Sequence, residues 1–148
     1  MTRTAYSRQF TICLLAIAFI AVSGCSAQVS PDTLIGTYGV QNNGKTELFL
    51  RIVRKDGRYL LSEKISGKWA TPINAIPLSQ STLHAYIKTP ISVAFAGLGN
   101  NKIAVYKMPP GWNYKGFITK TGYWAATVSG PVALYKMKAG ATKPTPKT

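Results

Sequence analysis

Residues 47–65, which read ELFLRIVRKDGRYLLSEKI, decide the fold of this chain. Branched and aromatic residues recur on both sides of Asp56-Gly57, and this dipeptide favours a two-residue turn because both central positions of a type I′ turn need a positive φ. The stretch therefore predicts a β-hairpin. A two-residue turn places Glu63 opposite Leu50 on the apolar face, whereas a three-residue bulged turn directs Glu63 outwards. The residues leave both registers open.

Segments with the same two-residue period extend from this hairpin towards both ends of the chain. They are short and separated by turn residues, at a spacing typical of an antiparallel barrel or sandwich. Pro72 and Pro77 predict that residues 71–81 form an irregular connection or an edge. We expect an all-β fold, a single small antiparallel barrel or sandwich of about eight strands behind a cleaved signal peptide. The predicted strands cover 34–40, 47–54, 59–65, 83–87, 91–95, 102–108, 117–121, 123–128 and 132–137.

The first 24 residues predict an export signal. Two arginines precede an apolar run over 11–22, which is shorter than the roughly 20 residues that a membrane-spanning helix needs. The segment Val22-Ser23-Gly24-Cys25 resembles the lipobox of bacterial lipoproteins. This resemblance implies cleavage before Cys25, a diacylglycerol on its sulfur and an acyl chain such as palmitate on its new amino group. The alternative is ordinary secretion with cleavage after Ala27.

The residue after the cysteine bears on localisation. Ser26 stands there instead of Asp, and by similarity to enterobacterial sorting this implies an outer-membrane lipoprotein whose domain faces the periplasm. The expected organisation is a lipoprotein signal peptide over 1–24, a lipidated tether over 25–33, a β-rich domain over 34–138 and a disordered tail over 139–148. Only Cys25 remains after cleavage, so we expect no intramolecular disulfide.

The start of the expected domain carries a second resemblance. Residues 34–38, LIGTY, precede a long hairpin and then Trp69, an arrangement that resembles lipocalin-like (calycin) barrels, which begin with a Gly-x-aromatic strand. The resemblance implies a small β-barrel.

The titratable residues offer little catalytic chemistry. The chain has four acidic residues and one histidine, His84, and this set is too small for a metal site and lacks an evident catalytic triad. Paired-carboxylate catalysis by Glu47 and Glu63 needs the hairpin to face them together, and their positions favour a structural role. We therefore predict that the protein is not an enzyme, with no catalytic residue, no metal and no cofactor.

The charge points to the kind of partner. The chain has 18 basic residues, and removing residues 1–24 leaves 16 basic against four acidic residues, a formal charge of +12. Such a charge favours acidic partners. We expect an acidic protein, besides the membrane reached through Cys25. Anionic lipid headgroups, lipopolysaccharide phosphates and peptidoglycan carboxylates are the other targets that such a charge suits. We expect no nucleic acid, because an exported protein rarely meets any. The alternative is that scattered lysines only solvate the surface and protect strand edges.

One loop supplies candidate partner-binding residues. Residues 108–115, MPPGWNYK, combine turn residues with two aromatics, and aromatic rings at a loop tip bury a large area at little entropic cost. Trp112, Tyr114 and Lys115 are therefore the partner-binding candidates. The alternative is that the rings fold over one end of the barrel as a plug. The first interpretation predicts that Trp112→Ala weakens binding and leaves the melting temperature nearly unchanged, and the second predicts a loss of stability.

These observations lead to one main functional hypothesis and two alternatives. The main hypothesis is a periplasm-facing, lipid-anchored, non-catalytic binding protein that captures or inhibits a protein partner. In size and charge it is similar to immunity or inhibitor-type lipoproteins. The first alternative is a lipocalin-like carrier of a lipid or other apolar ligand, which an inward row of Ser92, Ala94 and Ala96 would favour. The second alternative is an accessory lipoprotein of an envelope assembly or secretion complex.

Overall fold

The computed structural model describes residues 29–138. The predicted signal peptide, Cys25 and the predicted tail over 139–148 lie outside the described residues. The described chain contains one short helix, α1 (Gln80–Ile87), and a 3-10 helix at Pro31–Leu34. The strands are β1 (Gly36–Asn42), β2 (Lys45–Lys55), β3 (Arg58–Ile65), β4 (Lys68–Trp69), β5 (Ile73–Pro77), β6 (Ala96–Gly99), β7 (Ala104–Lys107), β8 (Asn113–Tyr114), β9 (Phe117–Ile118), β10 (Tyr123–Thr127) and β11 (Gly130–Lys136).

Eight of these strands form a closed antiparallel barrel, which confirms the predicted all-β class and decides between barrel and sandwich. Around the barrel the order is β1, β2, β3, β5, β6, β7, β10 and β11, so each strand pairs with the next one along the chain. The barrel closes where β11 pairs with β1, with Lys136 opposite Tyr38. This up-and-down architecture is compatible with a calycin-like small barrel. Strand β4 extends the β3 edge, and β8 and β9 form a separate hairpin.

The hairpin of β2 and β3 has the two-residue turn. Asp56 and Gly57 have φ values of 50° and 75°, as a type I′ turn requires. Strand pairing places Glu63 opposite Leu50. Directly opposite residues of an antiparallel pair project to the same face. The side chain of Glu63 is therefore directed to the face that Leu50 occupies, which is the inside of the barrel.

Alternation along the strands builds two apolar cores, one on each side of the barrel wall. On β7 and β10, Val105 and Ala125 face the interior, and their neighbours Tyr106 and Trp124 face the outside. The inner core consists of Leu34, Tyr38, Leu50, Ile52, Leu61, Ala75, Ala96, Leu98, Ile103, Val105, Ala125 and Leu134. The outer core consists of Leu78, Leu83, Ile87, Ile91, Phe95, Tyr106, Met108, Trp124 and Ala126.

The outer core depends on a close approach at β6. A Cβ atom added at Gly97 would lie 3.0 Å from ring atoms of Tyr106 and 3.1 Å from Leu78 Cβ. Contacts this short force the neighbouring side chains to move. Glycine at this position therefore lets the Tyr106 ring and Leu78 lie close to the barrel wall, where helix α1 and the loop over 108–122 cover them.

The predicted strand over 83–87 is wrong, because these residues belong to helix α1. The Ser79 side chain accepts a hydrogen bond from the Thr82 amide and caps the helix, and Lys88 in the left-handed region ends it. Leu83 and Ile87 are four residues apart and both are buried against the outer core. A short apolar segment fits either secondary structure, and here the cap and the position of the outer core select the helix.

The prediction for residues 71–81 is also wrong, because β5 is a full member of the barrel. It pairs with β3 on one side and with β6 on the other. Pro77 is its last residue and Pro72 precedes it, and strands tolerate proline at such positions.

The strand predicted over 91–95 begins later than expected, and β6 covers Ala96–Gly99. Ser92 and Ala94 precede the strand and are exposed, so the inward row of small residues does not form.

Candidate functional site

The connections between strands make the two ends of the barrel different. At the end that we call open, the strands are joined by turns at 43–44, 100–103 and 128–129 and by the hairpin segment 66–72. At the opposite end, which we call closed, β1 begins after the 3-10 helix at Pro31–Leu34, β2 turns into β3, and β11 ends. Leu34 of the 3-10 helix is fully buried in the inner core. Within residues 29–138, Leu34 therefore blocks the interior at the closed end, and a ligand or partner can approach it from the open end.

The interior itself is filled with side chains. The exposed fraction of every inner-core residue is 5% or less, and the Tyr38 hydroxyl donates a hydrogen bond of 2.7 Å to the Leu34 carbonyl. Burial raises the pKa of Tyr38, so the phenol stays neutral at this position. A filled interior leaves room for a ligand only above the inner core, at the open end.

Two adjoining clefts occupy the open end. The larger has a volume of about 470 Å³ and the smaller about 70 Å³. Glu63 and Lys102 line both. Apolar side chains predominate in the remaining walls, which are formed by Phe49, Ile103, Val128 and Val132 on one side and by Leu61, Ile65, Ala70 and Ile73 on the other.

The rim of the open end exposes apolar side chains to solvent. The exposed fraction is 95% for Val128, 58% for Ile65 and 43% for Ile73. Single exposed apolar residues are common, but a group around one opening is typical of an interaction site. None of these three residues was a candidate from the sequence. Their positions in or beside turns carried no signal, because only closure of the barrel brings them to one rim.

Glu63 is the acidic group of this end. Its side chain is half-buried, and within residues 29–138 its carboxylate forms no ion pair and no hydrogen bond. Glu47 is exposed and accepts a hydrogen bond from the Asn42 amide nitrogen, so the contacts do not bring it together with Glu63 as a carboxylate pair would require. Glu63 is thus available to a basic group entering from the open end.

The predicted partner-binding loop lies elsewhere, against the outer wall of the barrel. Trp112 stacks on Trp124 with ring centroids 5.6 Å apart and on Tyr114 at 6.1 Å. Trp124 in turn stacks on Tyr106 at 4.8 Å. Four rings therefore form a continuous stack from the outer core to the surface. The loop joins β7 to β10, and both Trp112 and Tyr114 pack against the outer core and not against the inner core. Lys115 is exposed.

Backbone hydrogen bonds hold this loop in place. The Thr119 amide donates to the Trp112 carbonyl at 3.0 Å, and the Gly111 amide donates to the Thr119 carbonyl at 2.9 Å. Thr119 is fully buried.

The rings beneath the loop are buried too, and burial raises the pKa of Tyr106 to about 12. The indole nitrogen of Trp124 is buried with no hydrogen-bond partner among the described residues, which shows how completely Trp112 and its neighbours cover it.

Charged side chains gather at the closed end. Lys136 Nζ donates a hydrogen bond of 2.9 Å to the Thr33 carbonyl and lies 5.6 Å from the Tyr123 ring centroid. Lys107 Nζ lies 5.8 Å from the same centroid. Burial and the charge of Lys107 both lower the pKa of Lys136.

The segment that leads into the barrel is attached to this end. Asp32 accepts hydrogen bonds from the Arg54 guanidinium at 3.1 and 3.2 Å and from the Tyr59 hydroxyl at 2.8 Å. The Val29 amide donates to the Phe95 carbonyl at 2.8 Å. Residues 29–33, which fall within the predicted tether, therefore contact the barrel.

No group of three or more His, Cys, Asp or Glu side chains within 29–138 is arranged to hold a metal ion. His84 is exposed on helix α1. In the part of the chain that the structure describes, no helix is long and apolar enough to cross a membrane. A comparison of the chain with protein-family models, curated proteins and solved structures finds no significant match.

Proposed function

We propose that this protein is a lipid-anchored, non-catalytic binding protein of the bacterial envelope that holds a protein partner at the open end of its barrel. The observation that carries this proposal is the exposed apolar rim of Val128, Ile65 and Ile73 around the open-end clefts. Burying such a rim against a partner is favourable at about 25 cal/mol per Å² of apolar surface. Binding at the rim also requires no change in the strand pairing of the barrel wall.

The contents of the barrel favour a protein partner over a long apolar ligand. A lipocalin-like carrier encloses its ligand inside the barrel, whereas here the inner core fills that space. A partner can instead cover the rim and insert one side chain into the larger cleft. A basic side chain would meet the carboxylate of Glu63, and the strong positive charge of the rest of the surface would speed encounter with a partner that is acidic overall.

The lipid anchor rests on the lipobox-like segment that ends in Cys25. Cys25 is four positions before Val29, so the anchor lies within about 14 Å of the point where the chain joins the barrel. Val29 is hydrogen-bonded at the closed end. An anchored barrel would thus stand with its closed end towards the membrane and its open end towards the periplasm, where a soluble partner can reach the rim.

One observation favours a second candidate function. The larger cleft has a volume of about 470 Å³ with mostly apolar walls, within the range of about 300–1,000 Å³ that small-molecule sites occupy. A small apolar ligand with a basic group would fit these walls and Glu63. The protein would then be a carrier that binds its ligand at the mouth of the barrel.

Site-specific photo-crosslinking in living cells tests both candidates. A photoreactive amino acid is placed at Val128 in the rim and, as a matched control, at Ile118, which is 48% exposed in the β8–β9 hairpin. A third variant carries it at Lys115. We expect the probe at Val128 to crosslink one protein and the probe at Ile118 to crosslink none. A lipid adduct at Val128 would favour the carrier, and protein crosslinks from Lys115 without any from Val128 would refute the open-end interface.

A further inference from the structure

The positive charge of the barrel is concentrated at the closed end. At the open end, the strand ends and turns carry four basic residues against two acidic ones, Glu47 and Glu63. At the closed end the strand ends, the β2–β3 turn and the segments before β1 and after β11 carry six basic residues against Asp32 and Asp56, not counting the longer connections over 78–95 and 108–122. Asp32 is already bound to Arg54. The six basic residues are Arg54, Lys55, Arg58, Lys107, Lys136 and Lys138.

Two of these lysines lie next to each other without a neutralising acid. The ammonium groups of Lys107 and Lys136 lie 5.8 and 5.6 Å from the centroid of the same Tyr123 ring. Within residues 29–138 neither forms an ion pair, and Lys136 donates only to the Thr33 carbonyl. The charge of Lys107 lowers the pKa of Lys136, so the two cations repel each other, and an anion bound by both removes that repulsion. Phosphate oxygens are strong acceptors for two such donors.

Both ends of the described chain leave the barrel at the same place. The Val29 amide is hydrogen-bonded to the Phe95 carbonyl just before β6 begins at the closed end. Strand β11 also ends there, at Lys136. The sequence beyond, residues 139–148, adds two lysines and no acidic residue.

We propose that the closed end is a docking surface for anionic phospholipid headgroups, in which Lys107 and Lys136 together bind a lipid phosphate and the β2–β3 turn lies on the bilayer. This inference rests on the proposed function only for the lipid anchor, which brings the surface to the membrane. The charge of the closed end then fixes the orientation of the barrel, because rotation of the anchored domain would exchange six cations near the anionic surface for four.

A footprint of lysine reactivity tests this orientation with controls inside the same molecule. The lipidated protein is reconstituted into vesicles that contain phosphatidylglycerol and into vesicles of phosphatidylcholine alone. A membrane-impermeant acylating reagent then labels the exposed lysines, and mass spectrometry measures each site. On phosphatidylglycerol we expect several-fold lower labelling of Lys55 and Lys138 at low salt, restored at high salt, because the contact is electrostatic. Lys45 and Lys68 at the open end should be labelled equally on both vesicles.

A pair of charge-reversal variants separates the closed end from net charge. Lys55→Glu combined with Arg58→Glu should abolish the protection of Lys138, whereas Lys45→Glu combined with Lys68→Glu, with the same change in net charge, should leave it intact. All four residues are exposed, so both variants should fold. Equal labelling on the two kinds of vesicle, or protection of Lys45 and Lys68 instead, would overturn the proposal.

Two further arms identify the source of a positive result. Inorganic phosphate added to phosphatidylcholine vesicles should not protect Lys107 from labelling. If free phosphate protects Lys107 as much as phosphatidylglycerol vesicles do, the site binds free phosphate, and membrane docking is refuted. A high-salt wash tests the lipid anchor separately. Protein that leaves phosphatidylcholine vesicles in this wash has no anchor, which contradicts the proposed function but not the charge of the closed end.

Discussion

Replacing Trp112 with alanine distinguishes a residue of the fold from a residue of an interface. The indole is half-buried and stacks on Trp124 and Tyr114. Removing a fully buried tryptophan costs about 3–5 kcal/mol, and a half-buried one with two ring neighbours about 2–3 kcal/mol. The substitution also uncovers Trp124, which is fully buried in the native protein. The structure thus replaces the expectation of an unchanged melting temperature with a marked loss of stability.

The expected loss is large enough to measure by ordinary methods. For a domain of this size, 1 kcal/mol shifts the melting temperature by roughly 4 °C, so Trp112→Ala should lower it by about 10 °C. Urea unfolding followed by circular dichroism gives the free energy of unfolding directly. Lys115→Ala is the matched control, because Lys115 is exposed in the same loop and should change the free energy of unfolding by less than about 0.5 kcal/mol.

Coupling between the rings provides an independent check. A double-mutant cycle of Trp112→Ala and Tyr114→Ala should give an interaction energy of about 0.5–1.5 kcal/mol, the range for stacked aromatic pairs. A shift in melting temperature below about 2 °C for Trp112→Ala, with no coupling to Tyr114, would show that Trp112 does not stabilise the outer core. The loop would then be independent of the fold, and its rings would again be candidates for an interface.

Three other predictions follow from particular positions. In urea unfolding, Gly122→Ala should destabilise the protein by about 1–3 kcal/mol more than Gly116→Ala. Both glycines have φ near 80°, but of the two only Gly122 has a neighbour, the Met108 carbonyl oxygen, with which an added Cβ would clash. Equal losses of stability would contradict this clash. Because burial raises the pKa of Tyr106 from 10.0 to about 12, its phenol contributes stability that is complete below pH 10 and declines as the pH rises from 10 to 12. Tyr106→Phe should flatten that part of the pH–stability curve, and identical curves would show that Tyr106 is not the source. Val128→Lys should leave the melting temperature unchanged while reducing partner binding several-fold, and undiminished binding would exclude the rim as the interface.

The parts of the fold that the sequence predicts are those governed by neighbouring residues. Asp56-Gly57 specifies its turn through the φ values that it accepts, and strand alternation on either side specifies which residues are apolar. The same rules fail at residues 83–87, because a five-residue apolar segment fits a strand or a helix. There the Ser79 cap and the outer core decide, and only the folded chain brings that core to the helix.

The candidate sites show the same division. The lipobox-like segment around Cys25 and the positive charge are properties of the chain itself, as are the all-β class and its approximate number of strands. Tertiary structure alone decides that Trp112 stacks on Trp124 and that Val128 and Glu63 line the same cleft. It also decides that the ammonium groups of Lys107 and Lys136 both lie near the Tyr123 ring. The physical reason is that alternation specifies two faces for each strand, but which face is inside depends on the closure of the barrel by β1 and β11, strands separated by most of the domain.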